Sequence, residues 1–334
     1  MAQGKVEGLP VSILSSVKAK VLRYLASANS EARSLAQKQL HMQCLATAAK
    51  NRSLRHLAGL YEVEFSAYSQ WGEDGIIDWL VGMLPSIPRT FVEFGVVDYL
   101  EANTRLLLQM HNWRGLVMDG SEANVASIKQ QDVSWRHDLT AKCAFIDCGN
   151  INHLMTDSGF QGDIGLLSID IDGNDYWVWK AIDAVSPVIV VSEYNAVLGD
   201  LHELTVPYRA DFDRSRAHYS NQYFGASIKA LSALAESKGY TFVGTTSTGC
   251  NAFFVRNDFA PIILAALDGI WAFPSAVREG RKPDGTLSLA SGLQRADAIK
   301  ELPLVDLRSG EQTSLAALGR IYSEDWAAGT KCRI

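Results

Sequence analysis

The chain has 334 residues, 47% of them hydrophobic and 20% charged, which is ample material for a large buried core. Its formal net charge is −6, so there is no global basic field to attract nucleic acid. Apolar runs are too short for a membrane span, the amino-terminal residues lack a signal-peptide pattern, and the five cysteines show no paired CxxC spacing; a reduced, cytoplasmic protein is expected.

Residues 11–58 contain neither Gly nor Pro, and apolar positions recur at helical spacing: Val17, Val21, Leu22 and Leu25, then Leu35, Leu40 and Leu45. This pattern predicts an N-terminal helical extension over 1–66, a packing appendage or the seat of a homo-oligomer. From 67 to 258 short apolar runs alternate with helical stretches. The predicted strands are TFVEFG, GLVMDG (115–120), CAFIDC (143–148), IGLLSIDID (164–172) and PVIVVSEYN (187–195). Helices are predicted over 101–111, 121–130, 175–184 and 226–238. YTFVGTTSTGCNAFFV then reads as two closely spaced strands, the ending expected where an antiparallel strand enters the sheet. Continuous apolar strands separated by helices indicate an α/β fold with a parallel sheet covered on both faces. The remainder, 259–334, holds a turn-rich segment, REGRKPDGTLS, and a helical piece around Thr313–Tyr322. It is expected to pack on the core or on a partner subunit.

Glu93, Asp119, Asp147, Asp170 with Asp172, and Glu193 each fall at or near the carboxyl end of a predicted strand. Ligands of open α/β sheets bind in the crevice at those ends. A row of acids there is costly unless it binds something, because like charges crowded together repel. A nucleoside gives each acid a task. Asp119, followed by Gly120 and Ser121, is placed to accept ribose hydroxyls, and Asp147 to accept an adenine amino group. Glu93 and Gly95 form the first turn. That turn, EFGVVDYLEANT, has one glycine where a pyrophosphate-binding turn has three, which disfavours NAD and FAD. A cofactor with a nucleoside but no phosphates fits better. S-adenosylmethionine has this form, and its ammonium and sulfonium groups suit acidic surroundings.

Residues 91–256 resemble the class I S-adenosylmethionine-dependent methyltransferases, more specifically the FkbM-like branch. FVEFG, YSQWGEDGII (68–77), NWRGLVMDGS (112–121), SIDIDGNDYW (168–177), YFGAS (223–227) and GCNAFFV (249–255) carry the likeness. The resemblance implies a Rossmann-like seven-stranded sheet with helices on both faces, and methyl transfer to a hydroxyl of a sugar, glycoconjugate or small natural product. Val96-Val97-Asp98 stands where many members keep a second glycine. Asn103 and Thr104 are candidates to replace the contacts that glycine would make to the methionine moiety, and Gln70 to cover the cofactor.

Metal-assisted O-methyltransferases of this fold hold a divalent ion after the fourth and fifth strands. The matching residues here are Asp170, Asp172, Glu193 and Asn195, all oxygen donors suited to Mg²⁺ or Mn²⁺. The alternative assigns Asp170 to the cofactor ammonium and Asp172 to general-base work without a metal, with His218 a second candidate base. A nucleotide-dependent oxidoreductase is a further reading, opposed by the poor glycine turn. Arg209, Arg214 and Arg216 read by default as a solvated loop face, the alternative being a site for an anionic substrate.

Overall fold

The computed structural model describes residues 35–36, 38–292 and 294–334. Val17, Val21, Leu22 and Leu25 lie outside them. The chain divides into two units, Met1–Ala49 and Lys50–Ile334. In the first, the described residues 38–49 are helical (α1). The division falls earlier than 66 because residues 50–66 are pinned within the second unit: Asn51 Nδ2 donates to Val63 O, and the Trp79 indole donates to Leu54 O. Among the described residues, no helix is long and apolar enough to cross a membrane.

The second unit is built on seven strands: β1 (Thr90–Phe94), β2 (Arg114–Asp119), β3 (Leu139–Cys143), β4 (Gly162–Ile169), β5 (Val185–Glu193), β7 (Tyr240–Thr245) and β8 (Asn251–Arg256). Their order is β3-β2-β1-β4-β5-β8-β7. The first five are parallel, and β8 pairs antiparallel with both β5 and β7. This is the expected Rossmann-like seven-stranded sheet, including the antiparallel strand near its end. Side chains alternate between two faces. Val92, Leu116, Leu167 and Val190 join one apolar cluster, while Phe91, Val117, Leu166 and Ile189 join the other. Helices α6 (Ile151–Asp157), α7 (Asp175–Ala181) and α9 (Ile228–Ser237) cover the first face; α2 (Glu73–Met83), α3 (Arg105–His111), α4 (Glu122–Gln130) and the single-turn α5 (Val133–Arg136) cover the second.

One strand differs from expectation. β3 ends at Cys143, where CAFIDC was predicted to begin. LTAKC is an edge strand, half-buried or exposed throughout, and needs no apolar run. Phe145 and Ile146, which suggested the strand, instead wall a cavity.

The carboxyl-terminal segment is part of the second unit. Short strand β6 (Leu204–Thr205) pairs with β9 (Leu304–Asp306), and β9 with β10 (Gln312–Thr313), antiparallel in both cases. The Tyr322 hydroxyl donates to Val197 O at 2.6 Å and the Trp326 indole to Ala196 O at 3.1 Å. The helix expected around Thr313–Tyr322 is shorter, Leu315–Leu318.

Candidate functional site

The carboxyl ends of the parallel strands open into a cleft of about 590 Å³. Gly95, Val97, Asp170 and Asp172 line both this cleft and a neighbouring cavity of about 190 Å³. The two differ in chemistry. The smaller is walled by Met118, Phe145, Ile146 and Phe212, with Asp119 beside them. The larger carries seven carboxylates, from Glu93, Asp98, Glu101, Asp170, Asp172, Glu193 and Glu279, against the guanidinium of Arg214. Such a field favours a cationic or neutral occupant over an anionic one.

The strand-end acids divide into builders and unspent groups. Glu93 accepts from the backbone N–H groups of Asn103 (2.8 Å) and Thr104 (3.1 Å), from the Thr104 hydroxyl, and from Ser168 Oγ at 3.3 Å. It thereby ties β1 to the start of α3, and burial raises its carboxyl to about 7. Asn103 also donates through Nδ2 to Ser168 Oγ and lines the cleft. Thr104 is fully buried behind Glu93 and lines neither cavity. Asp119 accepts from Val97 N (2.9 Å), Ser121 N (2.8 Å) and Asn124 Nδ2 (2.9 Å). It therefore fixes the turns after β1 and β2 while keeping its place beside the apolar cavity. Gln70 lines the large cleft.

Several expected residues lie elsewhere. Asp147 lines neither cavity; its Oδ1 accepts from Gly149 N and Asn150 N at the start of α6. The cause is the early end of β3, which leaves Asp147 on a loop. Ser121 caps α4 through Asn124 N. His218 also lines neither cavity; its Nδ1 lies 2.8 Å from Ser220 Oγ, its ring packs at a tilt against Tyr219, and burial lowers its pKa. Asn195 is committed to the backbone: Nδ2 donates to Gln222 O and Phe224 O, and Oδ1 accepts from Val197 N.

The three aspartates of IDIDGND separate by role. Asp175 accepts from Ile171 N (2.8 Å) and Gly173 N (2.9 Å), shaping the loop after β4, and burial raises its carboxyl to about 6. The loop so formed holds Asp172 at φ +55°, in the left-handed region that Asp tolerates. It also presents Asp170 and Asp172 to the cleft opposite Glu193 at the end of β5. Carboxylate oxygens of these three lie within 4.8 Å of one another. Asp170 makes no side-chain hydrogen bond among the described residues, and Glu193 Oε2 is buried without a partner. Burial first, and then the neighbouring carboxylates, push both well above the usual carboxylate range.

Arg214, which opens the single-turn helix α8 (Arg214–Ala217), is the residue that sequence reasoning missed. Its Nη1 donates to Asp172 Oδ1 at 2.7 Å and lies 3.9 Å from Glu193 Oε1, and its Nη2 pairs with Glu279. Nε donates to Asn221 O, and the guanidinium lies 3.8 Å from the Phe224 ring centroid. Nothing in the sequence separates Arg214 from Arg209 or Arg216, both at the surface, since loop topology alone brings it to the acids. Three carboxylates are the right donors for Mg²⁺ or Mn²⁺, but the guanidinium already holds one of them and neighbours another. A unit and a double charge about 4 Å apart at an effective dielectric of about 20 repel by about 8 kcal/mol. With Asn195 committed as well, these residues do not fit a divalent ion beside Arg214.

No protein-family profile matches the chain, and no curated protein matches it. Solved structures show a distant likeness. A S-adenosylmethionine-dependent methyltransferase from Clostridium acetobutylicum is 10% identical, over 55% of this chain and 90% of its own, with a TM-score of 0.35. One from Mesorhizobium loti is 14% identical, over 55% of this chain and all (100%) of its own, also at 0.35. TYW2 of M. jannaschii, solved in complex with AdoMet, is 12% identical over 57% of this chain and 78% of its own, at 0.30. The strand order β3-β2-β1-β4-β5-β8-β7 itself gives the fold.

Proposed function

We propose that the chain is an S-adenosylmethionine-dependent methyltransferase of FkbM-like type, acting on a hydroxyl of a sugar, glycoconjugate or small natural product. The observation that carries this reading is the pair of joined cavities at the strand ends. The apolar one, with Asp119 beside it, suits an adenosine; the acidic one suits the ammonium and sulfonium of a methionine chain. The single-glycine turn after β1 supports a cofactor without phosphates.

The chemistry asked of the protein is modest. The methyl carbon is already activated by the positive sulfur, and transfer is an in-line displacement governed by positioning. The acceptor oxygen forms a bond to that carbon while the carbon–sulfur bond breaks, its electron pair staying on sulfur. The hydroxyl proton passes to a carboxylate. Glu193 takes this part, because it lines the acidic cleft, its side chain is 16% exposed, and the pKa that burial raises makes it a stronger base once ionised. Asp170 and Asp172 would face the cofactor and the acceptor. The divalent-ion version of the reading would use the same three acids; Arg214 stands against it.

Titration calorimetry with S-adenosylhomocysteine tests the cofactor. Micromolar binding is expected, weakened roughly tenfold or more by Phe145→Ala, which removes an apolar wall of the adenosine cavity. Absence of heat at millimolar ligand would refute the reading.

A further inference from the structure

The acid cluster after β4 and β5 has the donor chemistry of a divalent-ion site, yet a guanidinium is built into it. We infer that Arg214 is the resident cation of this cluster, doing the charge compensation a divalent ion would do, and that the site works without a metal.

Three features support this. The first is geometric: Arg214 reaches Asp172 at 2.7 Å and Glu193 at 3.9 Å, two of the three carboxylates that converge within 4.8 Å. The second is how firmly the guanidinium is held. All three of its nitrogens are engaged, by Asn221 O, by Asp172 and by Glu279, and one face is covered by Phe224. Its side chain is 15% exposed. Vacating this position would strand Asp172, Glu193 and Glu279 beside one another without a counter-charge. The third is the origin of Glu279. It belongs to the carboxyl-terminal segment that the sequence left without a role, and that segment is fastened over the cleft. Ala276 N donates to Thr248 O and Arg281 N to Ser220 O, while Arg295 braces the segment internally by donating to the carbonyls of Ser275 and Val277. The clasp is thus a designed-in contact between the β5 end, α8 and the carboxyl-terminal segment, and not one swinging side chain.

The test reads metal binding directly and needs neither methyl donor nor acceptor, so its failure is separate from failure of the methyltransferase reading. Mn²⁺ is titrated into the full chain and the free-ion signal followed by electron paramagnetic resonance. The wild-type chain and Arg214→Lys, which keeps the charge, are expected to bind no Mn²⁺ at the cluster up to about 5 mM. Arg214→Gln is expected to bind with a Kd of about 0.1–1 mM, the range of weak all-oxygen sites. Adding Glu193→Gln to that variant should abolish the binding. Submillimolar Mn²⁺ binding by the wild-type chain, lost in Glu193→Gln, would overturn the inference. So would an Arg214→Gln chain that is folded and as inert to Mn²⁺ as the wild type. Should Arg214→Gln not fold, the wild-type and Arg214→Lys titrations decide the matter, binding by either at the cluster counting against it.

Discussion

Gly95 carries no side chain because there is no space for one. Its φ is +69°, and a Cβ placed on it would lie 1.7 Å from the carbonyl oxygen of Asp170. The turn after β1 therefore touches the loop after β4, and both line the two cavities. Gly95→Ala is expected to cost more than about 4 kcal/mol, as a backbone clash added to a left-handed φ. Urea unfolding checks this, and a midpoint close to wild type would contradict the packing. Most of this was legible as residue types: the glycine, the acids and the asparagine of the first turn stand where the sequence suggests a cleft. Their division of labour was not. Asp170, Asp172 and Asp175 look alike in IDIDGND, yet one accepts two loop amides, one pairs with Arg214 and one makes no side-chain hydrogen bond among the described residues. Only the path of the chain decides which carboxylate meets an N–H and which meets open space.

At the scale of elements, strands buried on both faces were read well from sequence, because β1, β2, β4 and β5 must be continuously apolar to sit between two helical layers. β3 was not, because an edge strand is released from that requirement and the apolar residues following it serve a cavity. That displacement also removed Asp147 from the site. The elements that finish the cleft were the least legible. α8 is one turn long, with Asp213 capping it and Arg214 at its head, and a single turn leaves no periodic signal. The segment from Ser275 to Gly280 has no regular structure, yet Val277 and Glu279 line the cleft. Loops carry the site, and their packing is set by tertiary contacts that local sequence does not encode.

The whole molecule stores several buried carboxyls, and this sets the pH dependence of its stability. Burial is the leading cause in each case: Glu93 is held at about 7, and Asp74 and Asp175 at about 6. In the unfolded chain such groups ionise near pH 4. Between about pH 4 and 7 the native state therefore retains protons that the unfolded state has released, so stability is greatest at the acidic end and falls as pH rises through that window. Thermal unfolding midpoints are expected to be higher near pH 5.5 than near pH 8. A midpoint that climbs steadily across the same interval would contradict the burial of these acids.

A crystal structure of the chain grown with S-adenosylhomocysteine is the decisive test of whether the two cavities seat S-adenosylmethionine. The adenine is expected between Phe145, Ile146 and Phe212, the ribose toward Asp119, and the amino-acid end in the acidic cleft near Gly95 and Asp170. A ligand ordered at any other place on the protein, with these cavities empty, would contradict it.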